Sequence, residues 1–476
     1  MDDINEKLEN KLGEVTRAAH ELEIPVMILI EGAPASGKSR LANALYMALD
    51  AKYTNFIAAR PPREAYVRYP FLQRYWYHLP PEGDINIHFR SWYSQYIELK
   101  DYYKATHTPF NMAELEEDME NFEETLINND YEIIKLFINT DKEARERHIK
   151  KLKGNPVLKW KAEEFQGLLK HHDYDEEMSY FINRQTLCPW EVVNFHNSDQ
   201  AVNDMYKILI DRLESRIERA STAEEPVVDG KFTRDFETKL FTFDFDKEKM
   251  KKKDYQKRLP LLQEKMREIQ FQLYEHKIPL ILVYEGMDAA GKGGNIKHTR
   301  ALLDPTGYTN NAIGAPSDIE LSHHYLWRFA NRIPRTGHIG FFDRSWYGRV
   351  LVERVEGFAT MREWQQAYQE INDFEKSLSN AGAIIIKFFL SLDKEEQLER
   401  FRDRENTPEK AWKITEEDWR NRDKWDLYLE ASEDMINYTS TIIAPWCIIS
   451  ANNKRYARIT ALETIIKMCE SRLKEV

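Results

Sequence analysis

Apolar residues fall along this chain in short, nearly unbroken runs. The first half carries "IPVMILIEG" (24–32), "DINIHF" (84–89), "EIIKLFINT" (132–140) and "WEVVNFH" (190–196). The second carries "IPLILVYEG" (278–286), "HIGFFD" (338–343), "AIIIKFFLSL" (383–392) and "WCIISA" (446–451). Runs of this length, rich in Ile, Val, Leu and Phe, suit parallel strands covered on both faces. Between them, stretches such as 110–128 and 362–379 repeat their apolar positions at helical spacing, and 3–22 and 247–276 read as helices leading into each set of strands. Strand alternating with helix predicts an α/β fold: mainly parallel sheets flanked by helices.

The two sets of runs are one pattern written twice. "MILIEGAPASGKS" (27–39) matches "ILVYEGMDAAGKG" (281–293), and "INIHFRSWY" (85–93) matches "IGFFDRSWY" (339–347). Lys38 and Lys292 stand 254 positions apart (292 − 38), as do Arg90 and Arg344; further on, residues 121–143 match 373–395 at an offset of 252. Repeats of this length are whole domains. The predicted organisation is a first domain over 1–218, a linker over 219–246 that lacks periodicity, and a second domain over 247–476.

Composition narrows the setting. No run approaches the 18 apolar residues of a membrane span, and the acidic start "MDDINEKLEN" lacks a signal-peptide pattern. Cys188, Cys447 and Cys469 lie too far apart for a disulfide framework or metal cluster. The expected place is the reducing cytoplasm, with no membrane partner. A net charge of −12 speaks against nucleic acid as a partner, while leaving room for a polyanion in a local basic channel. "KEKMKKKDYQKR" (247–258) reads first as a solvated helix face, and together with Lys297 and Arg300 as an outer wall of such a channel.

"GAPASGKS" (32–39) fits the full G-x-x-x-x-G-K-[ST] phosphate loop, in which backbone amides, a lysine and a helix N-terminus grip phosphate oxygens. "GMDAAGKG" (286–293) keeps the glycines and lysine but has Gly293 in place of the hydroxyl. By that grammar the first copy is the better enzyme. The carboxylates reverse that ranking. An acidic residue ending the strand beside a phosphate loop is the usual holder of Mg²⁺; the second copy has Asp343 there and the first has Phe89. Asp288 answers to Pro34, Glu353 to Leu99 and Arg349 to Gln95. "ERFRDR" (399–404) carries Arg400, Arg402 and Arg404, against Arg147 and lysines in the first copy, and lysine lacks the arginine fork. Three acidic positions lost together predict a first copy that has shed its chemistry and kept its sheet.

"EGMDAAGKGGNIK" (285–297), "FDRSWYGRVLVERVEGF" (342–358) and the arginine-rich stretch from Arg400 to Ile436 resemble the polyphosphate kinase 2 family, in particular its two-domain members that act on AMP. The loop with glycine after the lysine is that family's own form. The resemblance implies tandem P-loop kinase-like domains with a helical lid, the second domain active, and transfer of the terminal phosphoryl group of inorganic polyphosphate to AMP with Mg²⁺, Mn²⁺ being a substitute. Residues expected to act are Asp288, Lys292, Asp343, Arg344, Glu353 and Arg404. Phosphate is to be gripped by Gly286, Ala289, Ala290, Gly291, Lys292, Gly293 and Gly294, with Arg349 and Arg400. Asp343 and Asp288 are the expected metal ligands, and Glu353 either meets a second ion or steadies an arginine. Trp346 and Tyr347, repeated as Trp92 and Tyr93, read as packing. Two-domain layout alone points to AMP over a diphosphate acceptor such as ADP or GDP. An ATP-dependent small-molecule kinase and a non-catalytic phosphate-binding scaffold are the rival readings, and self-association of the chain is left open.

Overall fold

The computed structural model describes residues 2–59, 68–106, 111–171, 173–184, 186–222 and 248–475. Nearly all of the expected linker, 219–246, lies outside them. Among the described residues one compact unit holds 2–59, 72–222 and Ser317–Trp327; the other holds 68–71, 248–316 and 328–475.

The first unit is built on a five-stranded sheet of β1 (Val26–Glu31), β2 (Thr54–Ala58), β3 (Ile85–Phe89), β4 (Glu132–Asn139) and β5 (Trp190–Asn194), ordered β2-β3-β1-β4-β5. The second repeats it with β6 (Leu280–Gly286), β7 (Tyr308–Ala312), β8 (Ile339–Asp343), β9 (Ile384–Ser391) and β10 (Trp446–Ser450), ordered β10-β9-β6-β8-β7. Every pairing is parallel. The strand before each phosphate loop is therefore central, and its aliphatic side chains are fully buried (Val26, Leu29, Leu280, Leu282). That double-sided burial is why these strands read as continuous apolar runs.

The edge strands β2 and β7 carry no such run. Their sequences, "TNFIA" and "YTNNA", carry polar residues among the apolar ones and are largely exposed, and the strands pair on one side only. Helices Asp2–Glu21 and Ser198–Thr222 cover one face of the first sheet, with Leu12, Val15, Leu209 and Leu213 in its core. Lys252–Glu275 and Lys454–Leu473 do the same in the second. The helix expected from 247 begins at Lys252.

The repeat extends to backbone geometry that side chains disfavour. Left-handed φ values occur at Ala35 and Ala289 (67° and 63°), at Arg90 and Arg344 (68° and 65°), and at Glu23 and Lys277 (56° and 57°). A non-glycine residue there costs on the order of 1–2 kcal/mol, so each is held by its surroundings.

Both units also keep a buried ion pair under the repeated Trp-Tyr. In the second, Lys387 Nζ donates to Glu375 Oε2 (2.8 Å), Tyr347 Oη (2.8 Å) and the Thr439 carbonyl (2.7 Å), while Trp346 Nε1 and Tyr347 Oη donate to Glu375 Oε1. In the first, Lys135 meets Glu123 (2.9 Å), which also accepts from Trp92, Tyr93 and the Cys188 thiol. Trp346 and Tyr347 are fully buried. Besides packing in the core, both donate to the buried Glu375, as Trp92 and Tyr93 do to Glu123.

Candidate active site

The second phosphate loop leaves β6 and enters the helix Lys292–Thr299, with Gly291 in the left-handed region (φ 99°) as its N-cap. Gly286 (φ 136°) lies against the next strand: a Cβ there would sit 2.3 Å from the Leu390 carbonyl oxygen. Lys292 Nζ folds over the loop and donates to the carbonyls of Gly286 (2.7 Å) and Met287 (3.4 Å). The strand β8 runs alongside, with Tyr284 opposite Asp343 in register, so Asp343 emerges at the loop mouth. Its Oδ2 lies 3.2 Å from where a Cβ on Gly293 would stand. Glycine after the lysine thus makes room for the carboxylate. A serine or threonine, the usual residue, would crowd it.

Arg344 follows in its left-handed conformation, its N–H bonded to the Tyr284 carbonyl (3.1 Å). Its guanidinium meets Asp288 Oδ1 at 3.2 Å and Glu417 at 3.9 Å. Asp288 Oδ2 accepts from the Asn421 amide at 2.8 Å. Burial works to raise the Asp288 carboxyl, but Lys292, Arg344 and Asn421 outweigh it and hold it below the usual carboxylate range. Behind the loop, Glu285 is buried and accepts from Ser345 Oγ (2.8 Å); burial raises its carboxyl against the pull of Lys292. A cavity of about 70 Å³ is lined by Asp288, Lys292, Arg344, Asn421 and Tyr428 among others. Converging phosphate-binding backbone, two cations and two carboxylates suit handling of a phosphoryl group.

The model of the family "Polyphosphate kinase 2 (PPK2)" matches residues 2–221 and again 249–476. The chain belongs to the polyphosphate kinase 2 family. It is 35% identical to a polyphosphate:AMP phosphotransferase of Pseudomonas aeruginosa over 96% of this chain and 92% of that one, and 34% identical to one of Acinetobacter johnsonii over 94% and 91%. A GDP-polyphosphate phosphotransferase of Mycolicibacterium smegmatis is 37% identical over 46% of this chain and 77% of that one. The fold superposes at a TM-score of 0.80 on the crystal structure of a Pseudomonas aeruginosa protein described as a polyphosphate kinase 2, 33% identical, covering 100% of this chain and 96% of that one.

Within this polyphosphate kinase 2 chain, the other expected residues lie in three kinds of place. Gly286, Lys292, Asp288 and Arg344 wall the cavity, and Ala289, Ala290, Gly291, Gly293 and Gly294 complete the loop and the first turn of its helix. Glu353 pairs with Arg349 (3.2 Å), which also meets Glu363 (3.4 Å), so this glutamate has an arginine to hold. Arg400 is buried and commits its guanidinium to protein: Glu396 (2.7 Å) and the carbonyls of Ala289 (2.9 Å), Ala451 (2.7 Å) and Asn452 (3.0 Å). It braces the phosphate loop from behind. Arg404 faces Asp418 at 3.8 Å, at the foot of the helix Glu416–Asp423.

Sequence reasoning misses Asn421 and Tyr428. Tyr428 Oη donates to Asn421 Oδ1 (3.2 Å), and Glu356 beyond it accepts from Lys424 (2.8 Å), so the helix Glu416–Asp423 is tied to the Asp288 carboxylate through the Asn421 amide. One asparagine among charged neighbours gives no periodic or motif signal. For Mg²⁺ the donor set fits: the ion takes one or two carboxylates and completes its shell with water and substrate phosphates, and Gly293 leaves Asp343 unobstructed. Among the described residues no group of three or more His, Cys, Asp or Glu is gathered as a closed cage. No described helix is long and apolar enough to cross a membrane.

Proposed function

We propose that this chain transfers the terminal phosphoryl group of inorganic polyphosphate to AMP, giving ADP and a chain shorter by one phosphate, and that only the C-terminal copy does so. The observation that carries this reading is the mouth of the second loop: Asp288 and Arg344 share a cavity with Lys292 and Asp343 ends the strand beside Gly293, where the first copy keeps Arg90 but has Pro34 and Phe89 for the two carboxylates. AMP as acceptor is supported by the tandem relatives, which match end to end and are named for it, whereas the diphosphate-acting relative matches one copy.

An AMP phosphate oxygen attacks the terminal phosphorus; the new P–O bond forms as the bridging bond to the chain breaks, and the chain keeps the electron pair. The acceptor is already ionised, so catalysis is positioning and charge neutralisation. Amides of 286–293 and Lys292 hold the transferred group, a charged oxygen being a better acceptor for the ammonium than the loop carbonyls it now meets. Arg344, aimed by its strained backbone and by Asp288, offsets charge on that group, and Arg404 adds to this from the lid. Asp343 is the residue to hold Mg²⁺, with Asp288 beside it. The ion, when bound, neutralises phosphate oxygens. Glu353 keeps Arg349 in place. The free thiols of Cys188, Cys447 and Cys469 suit a cytoplasmic enzyme.

A product assay with AMP, ADP, GMP and GDP against polyphosphate and Mg²⁺ tests the reading. ADP formed from AMP and polyphosphate supports it. Phosphorylation of diphosphates alone, or activity with ATP and none with polyphosphate, refutes it.

A further inference from the structure

The first copy has lost its carboxylates, yet its loop is not filled in. The N-terminal loop borders a cavity of about 350 Å³ whose mouth gathers Lys38, Arg40, Arg90, His148 and Lys161, with Glu164 as the carboxylate of its lining. Phe89 occupies the place of Asp343 and Lys38 Nζ lies 5.8 Å over its ring. Lys38 otherwise donates to the carbonyls of Gly32 (2.6 Å) and Ala33 (3.2 Å), the posture of Lys292 in the second loop. Arg90 is shared with Glu98, and His148 Nδ1 meets the Ala35 carbonyl (3.1 Å). Burial, joined by repulsion from Arg90 and Lys161 and opposed by Glu31, brings the Lys38 ammonium down to about 7.

A second observation is independent of charge. Ser36 Oγ lies inside the loop, 1% exposed, without a hydrogen-bond partner among the described residues, and 2.9 Å from where a Cβ on Gly32 would stand. The second loop has Ala290 at this position. The copy without catalytic carboxylates thus carries an additional donor in its phosphate loop. A buried hydroxyl left unpaired is destabilising, and an oxyanion in the loop gives it a partner. The loop also opens an 11-residue helix, Lys38–Ala48, whose N-terminus favours negative charge. No carboxylate stands at the two positions that face Lys292 in the second copy.

We propose that the N-terminal loop is a metal-independent binding site for a phosphoryl oxyanion, separate from the catalytic site, gripping a terminal phosphate of inorganic polyphosphate or the phosphate tail of a nucleotide by the same chemistry. Its donors are the backbone N–H groups of 35–38 (Pro34 has none), Lys38 and Ser36, and its cationic rim is Arg40, Arg90 and Lys161.

Calorimetric titration of the full chain with inorganic tripolyphosphate in EDTA tests this, using Lys292→Ala to disable the second loop. One tripolyphosphate site per chain is expected to persist in Lys292→Ala. Adding Lys38→Ala is expected to weaken it about tenfold or more, and adding Ser36→Ala, which installs the residue natural to the second loop, about threefold. Mg²⁺ should leave the affinity unchanged. ATP in EDTA should bind Lys292→Ala and be displaced by tripolyphosphate, while ATP that binds and is not displaced means a nucleoside is being read and overturns the proposal. Absence of binding in Lys292→Ala overturns it, as does a strict need for Mg²⁺ or binding indifferent to both Lys38→Ala and Ser36→Ala. Far-ultraviolet circular dichroism of each variant separates lost binding from lost fold.

Discussion

At equivalent points the two loops surround one lysine in opposite ways. Beside Lys292 the Asp343 carboxylate lies against a glycine, Gly293, on which a Cβ would crowd it at 3.2 Å; Lys38 faces the ring of Phe89, and Ser39 stands where that glycine would be. The helix after each β4 or β9 strand follows suit. Lys142–Lys153 and Lys394–Glu405 have the same length, and in their register His148 answers Arg400 and Leu152 answers Arg404. His148 and Arg400 both reach the carbonyl of the loop alanine, Ala35 or Ala289. What braces the loop was replaced by something that still braces it; Lys38 and Arg90 keep the lysine and arginine of the loop mouth, while Asp288, Asp343 and Arg404 are answered by Pro34, Phe89 and Leu152. Divergence spared geometry and the cations of the loop, and removed the carboxylates that a metal ion would need.

The largest expected effect tests that division directly. Asp343→Ala should lower kcat for AMP phosphorylation by about 10³-fold, with the thermal unfolding midpoint little moved. Phe89→Asp introduced into that variant should not restore turnover, because Pro34, Leu152 and the Ser39 side chain still stand in the wrong places. Recovery of activity there, measured by ADP formation, would show the first copy to be one residue from competence and break the comparison.

Next in size is a property the copies share. Lys387→Met leaves Glu375 buried beside two hydroxyl or indole donors and no cation, and should cost about 3–5 kcal/mol of stability; Lys135→Met should do likewise around Glu123. Urea unfolding followed by tryptophan fluorescence reads both. A large loss in one unit only would mean that the shared network has itself diverged.

How much of this can be read from the chain depends on what each residue packs against. Among the described residues, the six inner strands β1, β3, β4, β6, β8 and β9 are legible because burial on both faces demands apolar runs, and the edge strands β5 and β10 are legible because each copy repeats a short apolar run there. β2 and β7 are not, since these edge strands are largely exposed and their sequences, "TNFIA" and "YTNNA", open on Thr or Tyr-Thr and Asn without an apolar run. Asp343 and Lys292 are legible because strand end and loop fix both. Arg400 groups with the phosphate binders in sequence because the arginines of "RFRDR" look alike there. Burial alone distinguishes the one that holds Ala289 from the one that faces Asp418. The lysine inside "IIKLF" and "IIKFF" carries a signal in its recurrence 252 positions apart, but its partner glutamate lies 12 residues earlier on a helix, and only the fold joins them.

A smaller effect sharpens the role of Gly293. Gly293→Ser puts a Cβ against Asp343 Oδ2, so the carboxylate must shift by a few tenths of an ångström. A displacement of that order at a reacting centre should cost about tenfold in kcat. In steady-state assays the loss should ease when Asp343 is shortened to nothing: Gly293→Ser should add little to Asp343→Ala, the non-additivity expected of residues that act as one unit.

The smallest effect concerns the lid. The Asn421 amide is one of three groups that hold Asp288 ionised, and the only one of the three that comes from the helix Glu416–Asp423. Asn421→Ala removes one charge-assisted hydrogen bond, worth about 1.5 kcal/mol and so roughly tenfold in kcat/KM. Arg344 and Lys292 still hold Asp288, so its carboxyl stays charged and the site keeps its sign. The first copy has no counterpart to lose, since Pro34 stands where Asp288 would receive the amide. If the lid is tied down through this bond, the deficit should fall on kcat and KM together, because closure and positioning are both relaxed. A KM change with kcat intact would instead mark Asn421 as a plain substrate contact and detach the lid from the catalytic carboxylate.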